Sequence, residues 1–291
     1  MTAILERFGR FLERSERSPH TIRNYRGDLE GLAVWFTTRT AEPFAPGTLT
    51  PTDLRAYKRW LIAQNLKPNT INRKLATLKS FLHWAVDVRL LRRHHGLHVP
   101  SPVREARSGP RWLDRREQHR LLRAVERFGT PRDRAAVTLM LHTGVRVSEL
   151  CALVWQDVHL SERRGLLTVR SGKGSKRRHI PLNRDTRQGI RTLGYGEHAG
   201  TAMPMFCGQR GPLTPRGVQL LLARYARVAG LQRVTPHVLR HSFCKNLVNV
   251  GVSLEKIALL AGHDRLETTR RYCEPSLQDL EQAVELISTE E

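Results

Sequence analysis

The sequence predicts a mainly α-helical protein in two parts, the second carrying a small β-hairpin, and three observations lead there. Apolar residues recur at spacings of three and four along most of the chain. One stretch without that periodicity, RRHHGLHVPSPVREARSGPR at 92–111, holds three prolines, two glycines and three histidines and reads as a basic linker. Beyond it, LLTV at 166–169 and HIPL at 179–182 are short apolar runs on either side of a glycine-containing turn, the pattern of two paired strands. The division is a helical part at 1–91, the linker at 92–111, and a mixed α/β part with a terminal helix at 112–291.

In the first part, Ile4, Leu5, Phe8, Phe11 and Leu12 form one apolar stripe. Ile22, Tyr25, Leu29, Leu32 and Phe36 form a second, started by Ser18-Pro19. Thr50-Pro51-Thr52-Asp53 caps a third helix carrying Leu54, Tyr57 and Leu61. A fourth runs from about Thr70 with Ile71, Leu75, Leu78, Leu82 and Ala85 turned inward, which leaves Thr70, Arg73 and Thr77 on the outer face beside Lys74. Four short helices with basic outer faces suit a groove-reading module, and equally suit plain solvation.

In the second part, SGKGSKRR at 171–178 joins the two strands, with Lys173 at or near the tip. Seven basic residues and no acid lie between Arg163 and Arg178, so this hairpin suits a phosphate backbone. Thr235-Pro236 supplies an N-cap and a proline at the first helical position, placing His237 and Arg240 three apart on one face. Another helix begins near Ser253 and ends at Gly262, leaving His263 just past the cap. Leu277, Leu280, Val284 and Ile287 mark a last amphipathic helix, of the kind that docks on a neighbouring subunit.

Charge narrows the partner. The 291 residues carry 49 Lys and Arg against 27 Asp and Glu, a net +22. Through Ser108 there are 19 basic and 9 acidic residues, net +10, and from Gly109 onward 30 and 18, net +12. Both parts are basic, as in a two-part clamp on a polyanion. No run approaches the roughly 18 apolar residues of a membrane span, and MTAILERFGRFLERSER is too charged for a signal peptide, so a cytoplasmic, nucleoid-associated protein is expected.

Other chemistries fail on residue type or spacing. Cys151, Cys207, Cys244 and Cys273 show no CxxC pair, so neither a disulfide framework nor a zinc module is expected. GKGSK lacks the glycine and the hydroxyl residue that a phosphate-cradling nucleotide loop needs. His94, His95 and His98 sit in the linker without a nearby acid or cysteine, so no metal is expected there.

What fits together is an ordered string: HTGVRVSELCAL with Arg146, the hairpin Lys173, TPHVLRHSF with His237 and Arg240, LLAGH with His263, and Tyr272 nine residues later. From about residue 112 to the C-terminus this resembles the tyrosine recombinases, the phage-integrase family, and most of all their Xer-like group. SPHTIRNYRGDL and NTINRKLATLKSFLHWA are similar, more loosely, to the family's SAM-like core-binding domain. Ala261 before Gly262-His263 and the CEPS after Tyr272 depart from the commonest pattern.

The resemblance implies a site-specific recombinase with an N-terminal four-helix DNA-binding domain and a C-terminal mixed α/β catalytic domain. It implies that Arg146 and Arg240 meet the charge of a five-coordinate phosphorus and that Tyr272 attacks. Such a phenol, with an ordinary pKa near 10, needs its proton accepted, and His237 is the candidate. Lys173 would protonate the leaving 5′ oxygen, His263 would bond a non-bridging oxygen, and Glu149 would orient the site. Arg23, Thr70, Arg73, Lys74, Thr77, Lys176 and Arg177 would contact DNA. The implied partners are double-stranded core sites with inverted-repeat arms and a homotetramer joined through the C-terminal helix. A second recombinase or an accessory protein is a further implied partner. Neither cofactor nor metal nor ATP is implied. Dimer or cointegrate resolution and integration or excision of a mobile element are the implied tasks. Two other readings remain beside this one, a type IB topoisomerase and a non-catalytic DNA-binding regulator.

Overall fold

The computed structural model describes residues 2–91, 99–103, 110–170, 177–263, 265–272 and 284. It resolves into two compact units, Met1–Arg107 and Ser108–Glu291.

The first unit holds four helices, α1 (Thr2–Arg14), α2 (Pro19–Thr40), α3 (Pro51–Ala63) and α4 (Pro68–Asp87). Their starts follow from the sequence: Ser18 accepts from the Thr21 N–H, and Thr50 and Asp53 bond each other's backbone N–H in a reciprocal cap. Helix α4 begins at Pro68, two residues before the expected Thr70, because a proline's fixed φ and missing N–H fit the first helical position. The apolar stripes meet in one core in which Phe8, Leu32, Phe36, Tyr57, Leu61, Phe81 and Leu82 are buried. Residues 99–103 lie on this unit. The Asn72 side chain takes the Val103 N–H at 2.7 Å and donates to its carbonyl at 3.0 Å, and Lys58 donates to the Ser101 carbonyl.

One expectation fails here. Thr77 is fully buried rather than on the outer face of α4, its hydroxyl donating to Asp28 Oδ2 at 3.0 Å. Asp28 is itself buried and also holds Arg73 and, at 3.3 Å, Lys74. A carboxylate inside a helical unit needs cations and hydroxyls around it, and these three α4 residues supply them.

The second unit starts with α5 (Arg115–Phe128), α6 (Pro131–Thr143) and α7 (Val147–Ala152). Three antiparallel strands follow in order β1 (Val158–Leu160), β2 (Gly165–Arg170) and β3 (Arg177–Pro181), with Leu167 opposite Ile180. Next come α8 (Arg184–Thr192), α9 (Tyr195–His198), the two-residue pair β4 (Cys207–Gly208) and β5 (Gly211–Pro212), and then α10 (Pro215–Val228), α11 (Pro236–Asn249), α12 (Leu254–Ala261) and α13 (Leu266–Arg270). The expected hairpin strands are β2 and β3. Strand β1 and the β4–β5 pair are additions, too short for alternation to reveal them. The main core gathers Leu139, Met140, Leu141, Val145, Leu150, Leu222 and Leu239. A smaller one joins Phe243, Cys244, Ile257 and Ala261 to Tyr272.

The anticipated C-terminal amphipathic helix, apart from Val284, and the hairpin residues 171–176 lie outside the described residues. Among the described residues no helix is long and apolar enough to cross a membrane.

Candidate active site

Three helix ends contribute to the site in the second unit. The first is the start of α7, where Arg146 is the N-cap residue and Glu149, three residues on, accepts its backbone N–H at 2.7 Å. The second is the first turn of α11, begun by Thr235, whose side chain accepts from the Val238 N–H. The third is the end of α12, where Gly262 turns the chain with φ +68° and delivers His263. A glycine fits there because a side chain at this positive φ costs about 1 kcal/mol and a Cβ would fall 2.8 Å from Arg178 Nη1.

The two arginines face different surroundings. Arg146 donates Nη1 to Glu149 at 2.9 Å and Nη2 to the Gly262 carbonyl at 2.6 Å, with its side chain 38% exposed. Arg240 is buried and donates Nη1 to the Gly144 carbonyl at 2.6 Å, while its Nη2 is buried with no hydrogen-bond partner among the described residues. Burial, then the neighbouring Arg146 charge, lowers the Arg240 guanidinium to about 10, so it remains a cation at neutral pH. A buried guanidinium nitrogen left unpaired is costly unless an acceptor arrives, and beside a second arginine that acceptor is an anionic oxygen.

His263 and Tyr272 complete the cluster. Their rings stack with centroids 6.1 Å apart and planes 11° apart. His263 Nδ1 lies 2.9 Å from the Thr269 hydroxyl. Burial, helped by the charges of Arg240 and Arg146, lowers its pKa to about 4, so the ring is neutral. Tyr272 is buried, and burial followed by Cys244 raises its phenol above the usual range despite an opposing pull from Arg240.

The structure therefore brings together Arg146, Glu149, Arg240, His263 and Tyr272. His237 sits at the rim: it is exposed, whereas Arg240 three residues later is buried, and its ring lies 6.3 Å from that of His241 with planes 30° apart. The group that meets the Tyr272 hydroxyl is His241, whose Nδ1 is 2.6 Å away. Burial, then His237 and Arg240, lowers the His241 pKa to about 4, so the phenol meets a neutral imidazole. His241 follows Arg240 directly and lies one turn after His237; helical spacing alone would have marked it.

Two further placements matter. Arg177 is exposed at the start of β3, but Arg178 beside it is buried and grips Glu149 through both carboxylate oxygens, at 2.8 and 2.7 Å. Strand alternation puts Arg178 on the face of buried Ile180, a signal the charge run hides. Burial alone would raise the Glu149 carboxyl, but the bonds from Arg178 and the Arg146 backbone outweigh it and hold it at about 2. Lys173 and Lys176 lie outside the described residues. In the first unit, Arg23 is exposed, Thr70, Arg73 and Lys74 are half-buried, and Thr77 is buried.

Residues 111–278 match the phage integrase family, and residues 5–88 match its N-terminal SAM-like domain. This chain is a member of the phage integrase family. Within the family its likeness is to the Xer tyrosine recombinases. It is 37% identical over 284 residues to tyrosine recombinase XerD of Xanthomonas campestris pv. campestris, covering 90% of this chain and 84% of that one. To tyrosine recombinase XerC of Thermodesulfovibrio yellowstonii it is 31% identical over 280 residues, covering 90% and 88%. The XerH site-specific recombinase bound to palindromic difH, in its post-cleavage complex, shares the fold with a TM-score of 0.75, 21% identity, and 91% and 79% coverage.

Proposed function

We propose that this site-specific tyrosine recombinase cleaves and rejoins double-stranded DNA through Tyr272, with Arg146 and Arg240 holding the scissile phosphate. The observation that carries the reading is the Nη2 of buried Arg240, without a hydrogen-bond partner among the described residues, near enough to both Arg146 and the Tyr272 phenol to act on them electrostatically. The phenolic oxygen bonds to phosphorus as the bond to the 5′ oxygen breaks. Once the Tyr272–His241 bond opens, the phenol's proton passes to His237, whose ring lies 6.3 Å from that of His241, and a proton from Lys173 reaches the 5′ oxygen, leaving a 3′-phosphotyrosyl diester and a free 5′ hydroxyl. Because one phosphodiester replaces another, the step consumes no ATP, and a partner strand's 5′ hydroxyl reverses it. In the tautomer that carries its proton on Nε2, His263 accepts from the Thr269 hydroxyl, 2.9 Å from Nδ1, and donates Nε2–H to a non-bridging oxygen.

The substrate reading rests on likeness: the relatives are recombinases over some nine-tenths of this chain, which favours strand exchange over simple relaxation of supercoils. Two protomers on each core site, four in a synapse joined by the C-terminal helix, and exchange through a Holliday junction follow as the assembly. Arg23, Thr70, Arg73 and Lys74 of the first unit and Lys176 and Arg177 of the second are the proposed DNA contacts. Resolution of dimers or cointegrates, or movement of an integrated element, is the task, carried out in the cytoplasm on the chromosome.

The test starts from the duplex that the protein protects from nuclease within the DNA flanking its own gene. Nicked close to the cleavage point, that duplex traps a covalent adduct with the protein, and Tyr272→Phe forms none. An adduct that persists in Tyr272→Phe removes Tyr272 as the nucleophile.

A further inference from the structure

We infer that Arg178 is a positioning residue that occupies Glu149 so that Arg146 keeps its positive charge for the phosphate; this deepens the proposed function and rests on it. Arg178 is buried on the inner face of β3, and every branch of its guanidinium is spent. Nη1 donates to Glu149 Oε1 at 2.8 Å, Nη2 donates to Oε2 at 2.7 Å, and Nε donates to the Leu260 carbonyl at 3.0 Å. Each Glu149 oxygen therefore accepts twice. Oε1 takes Arg178 and Arg146 Nη1, and Oε2 takes Arg178 and the Arg146 backbone N–H.

Charge bookkeeping shows the consequence. Glu149 and Arg146 alone sum to zero, and a partly buried carboxylate bonded to one arginine cancels most of its attraction for an incoming anion. Adding Arg178 leaves the trio at +1, and because Arg178 is the buried member and Arg146 the half-exposed one, the surplus faces solvent through Arg146. A carboxylate is retained because it orients the Arg146 fork and backbone, while a second arginine keeps it from neutralising what it orients.

The same group also fixes the turn that carries His263. Arg178 Nε holds the Leu260 carbonyl and Arg146 Nη2 holds the Gly262 carbonyl, so two guanidinium groups that share Glu149 grip the end of α12 two residues apart. A Cβ on Gly262 would come within 2.8 Å of Arg178 Nη1, so the guanidinium lies flat against that glycine. Lysine cannot replace this arrangement, since one point charge does not span two carboxylate oxygens and a carbonyl in fixed directions.

The experiment measures single-turnover adduct formation on the nicked footprint duplex, with a normal phosphodiester or an uncharged methylphosphonate at the scissile position. Arg178→Met lowers the rate on the phosphodiester about 10- to 100-fold and changes the methylphosphonate rate less than about threefold, because only the charged group feels the lost field. Arg178→Lys, a milder change that guards against misfolding, falls between. In a Glu149→Gln background the further change Arg178→Met costs less than about threefold, since an amide has no charge with which to cancel Arg146. Equal losses on both substrates, or an undiminished cost beside Glu149→Gln, would overturn the inference and leave Arg178 a scaffold residue. The proposed function fails separately, if the unaltered protein forms no adduct or Tyr272→Phe still does.

Discussion

The Tyr272 hydroxyl and His241 Nδ1 are 2.6 Å apart, and this bond holds the phenol in a buried position. A backbone phosphorus cannot reach a covered oxygen, so the bond must open before attack. Its contribution is about 1 kcal/mol, the ordinary net value of such a bond. His241→Ala is therefore expected to raise the rate of adduct formation on the nicked duplex about fivefold. It should also make Tyr272 more readily nitrated by tetranitromethane in the absence of DNA. A fall in the rate would instead make His241 the proton acceptor during attack.

Stability should depend on pH through the two neutral histidines. His241 and His263 have folded pKa values of about 4, against about 6.5 when unfolded, so between those values the unfolded chain binds more protons. Their contribution is complete above about pH 6.5 and is lost as the pH falls toward 4, by at most about 3 kcal/mol each. The urea midpoint is expected to drop between pH 7 and pH 4.5, and to drop less in His263→Asn. An unchanged slope in that variant would show that His263 is not held neutral by its surroundings.

Most of this site was legible because its parts lie at helix ends, where sequence rules are strongest. Thr235-Pro236 fixed the start of the helix bearing Arg240, and Gly262 fixed the turn before His263. What escaped notice depends on partners distant along the chain. Arg178 looks like one more charge in a basic run until β3 turns it toward Glu149, 29 residues earlier. Thr77 looks like an outward helix residue until Asp28, 49 residues earlier, comes beneath it. Local periodicity cannot announce a buried carboxylate supplied by another element.

That buried carboxylate should matter for stability. Asp28→Asn leaves Arg73 and Lys74 without their anion in a half-buried place and is expected to cost about 2–4 kcal/mol. Thr77→Val removes a single neutral donor and should cost about 1 kcal/mol. Because Thr77 is covered, Thr77→Val should leave DNA affinity within about twofold, measured by gel shift at fixed salt. A larger loss of affinity without loss of folding would return Thr77 to the DNA-contacting surface.

Gly144 should be as intolerant of change as any residue that touches the phosphate. It ends α6 with φ +63°, its carbonyl anchors Arg240, and a Cβ there would fall 2.3 Å from Phe243 Cδ1, a ring in the small core that also contains Tyr272. Gly144→Ala therefore combines backbone strain of about 1 kcal/mol with a clash that only movement of Phe243 relieves, and should cost about 2–4 kcal/mol in all. Gly251→Ala supplies the comparison, since Gly251 has φ +75° with nothing within 4 Å of the added carbon, and should cost the strain alone. Thermal melts of the two variants separate the packing cost from the strain. Adduct formation at a temperature where both are folded should fall at least about tenfold in Gly144→Ala and stay unchanged in Gly251→Ala, because only the first displaces the carbonyl that aims Arg240.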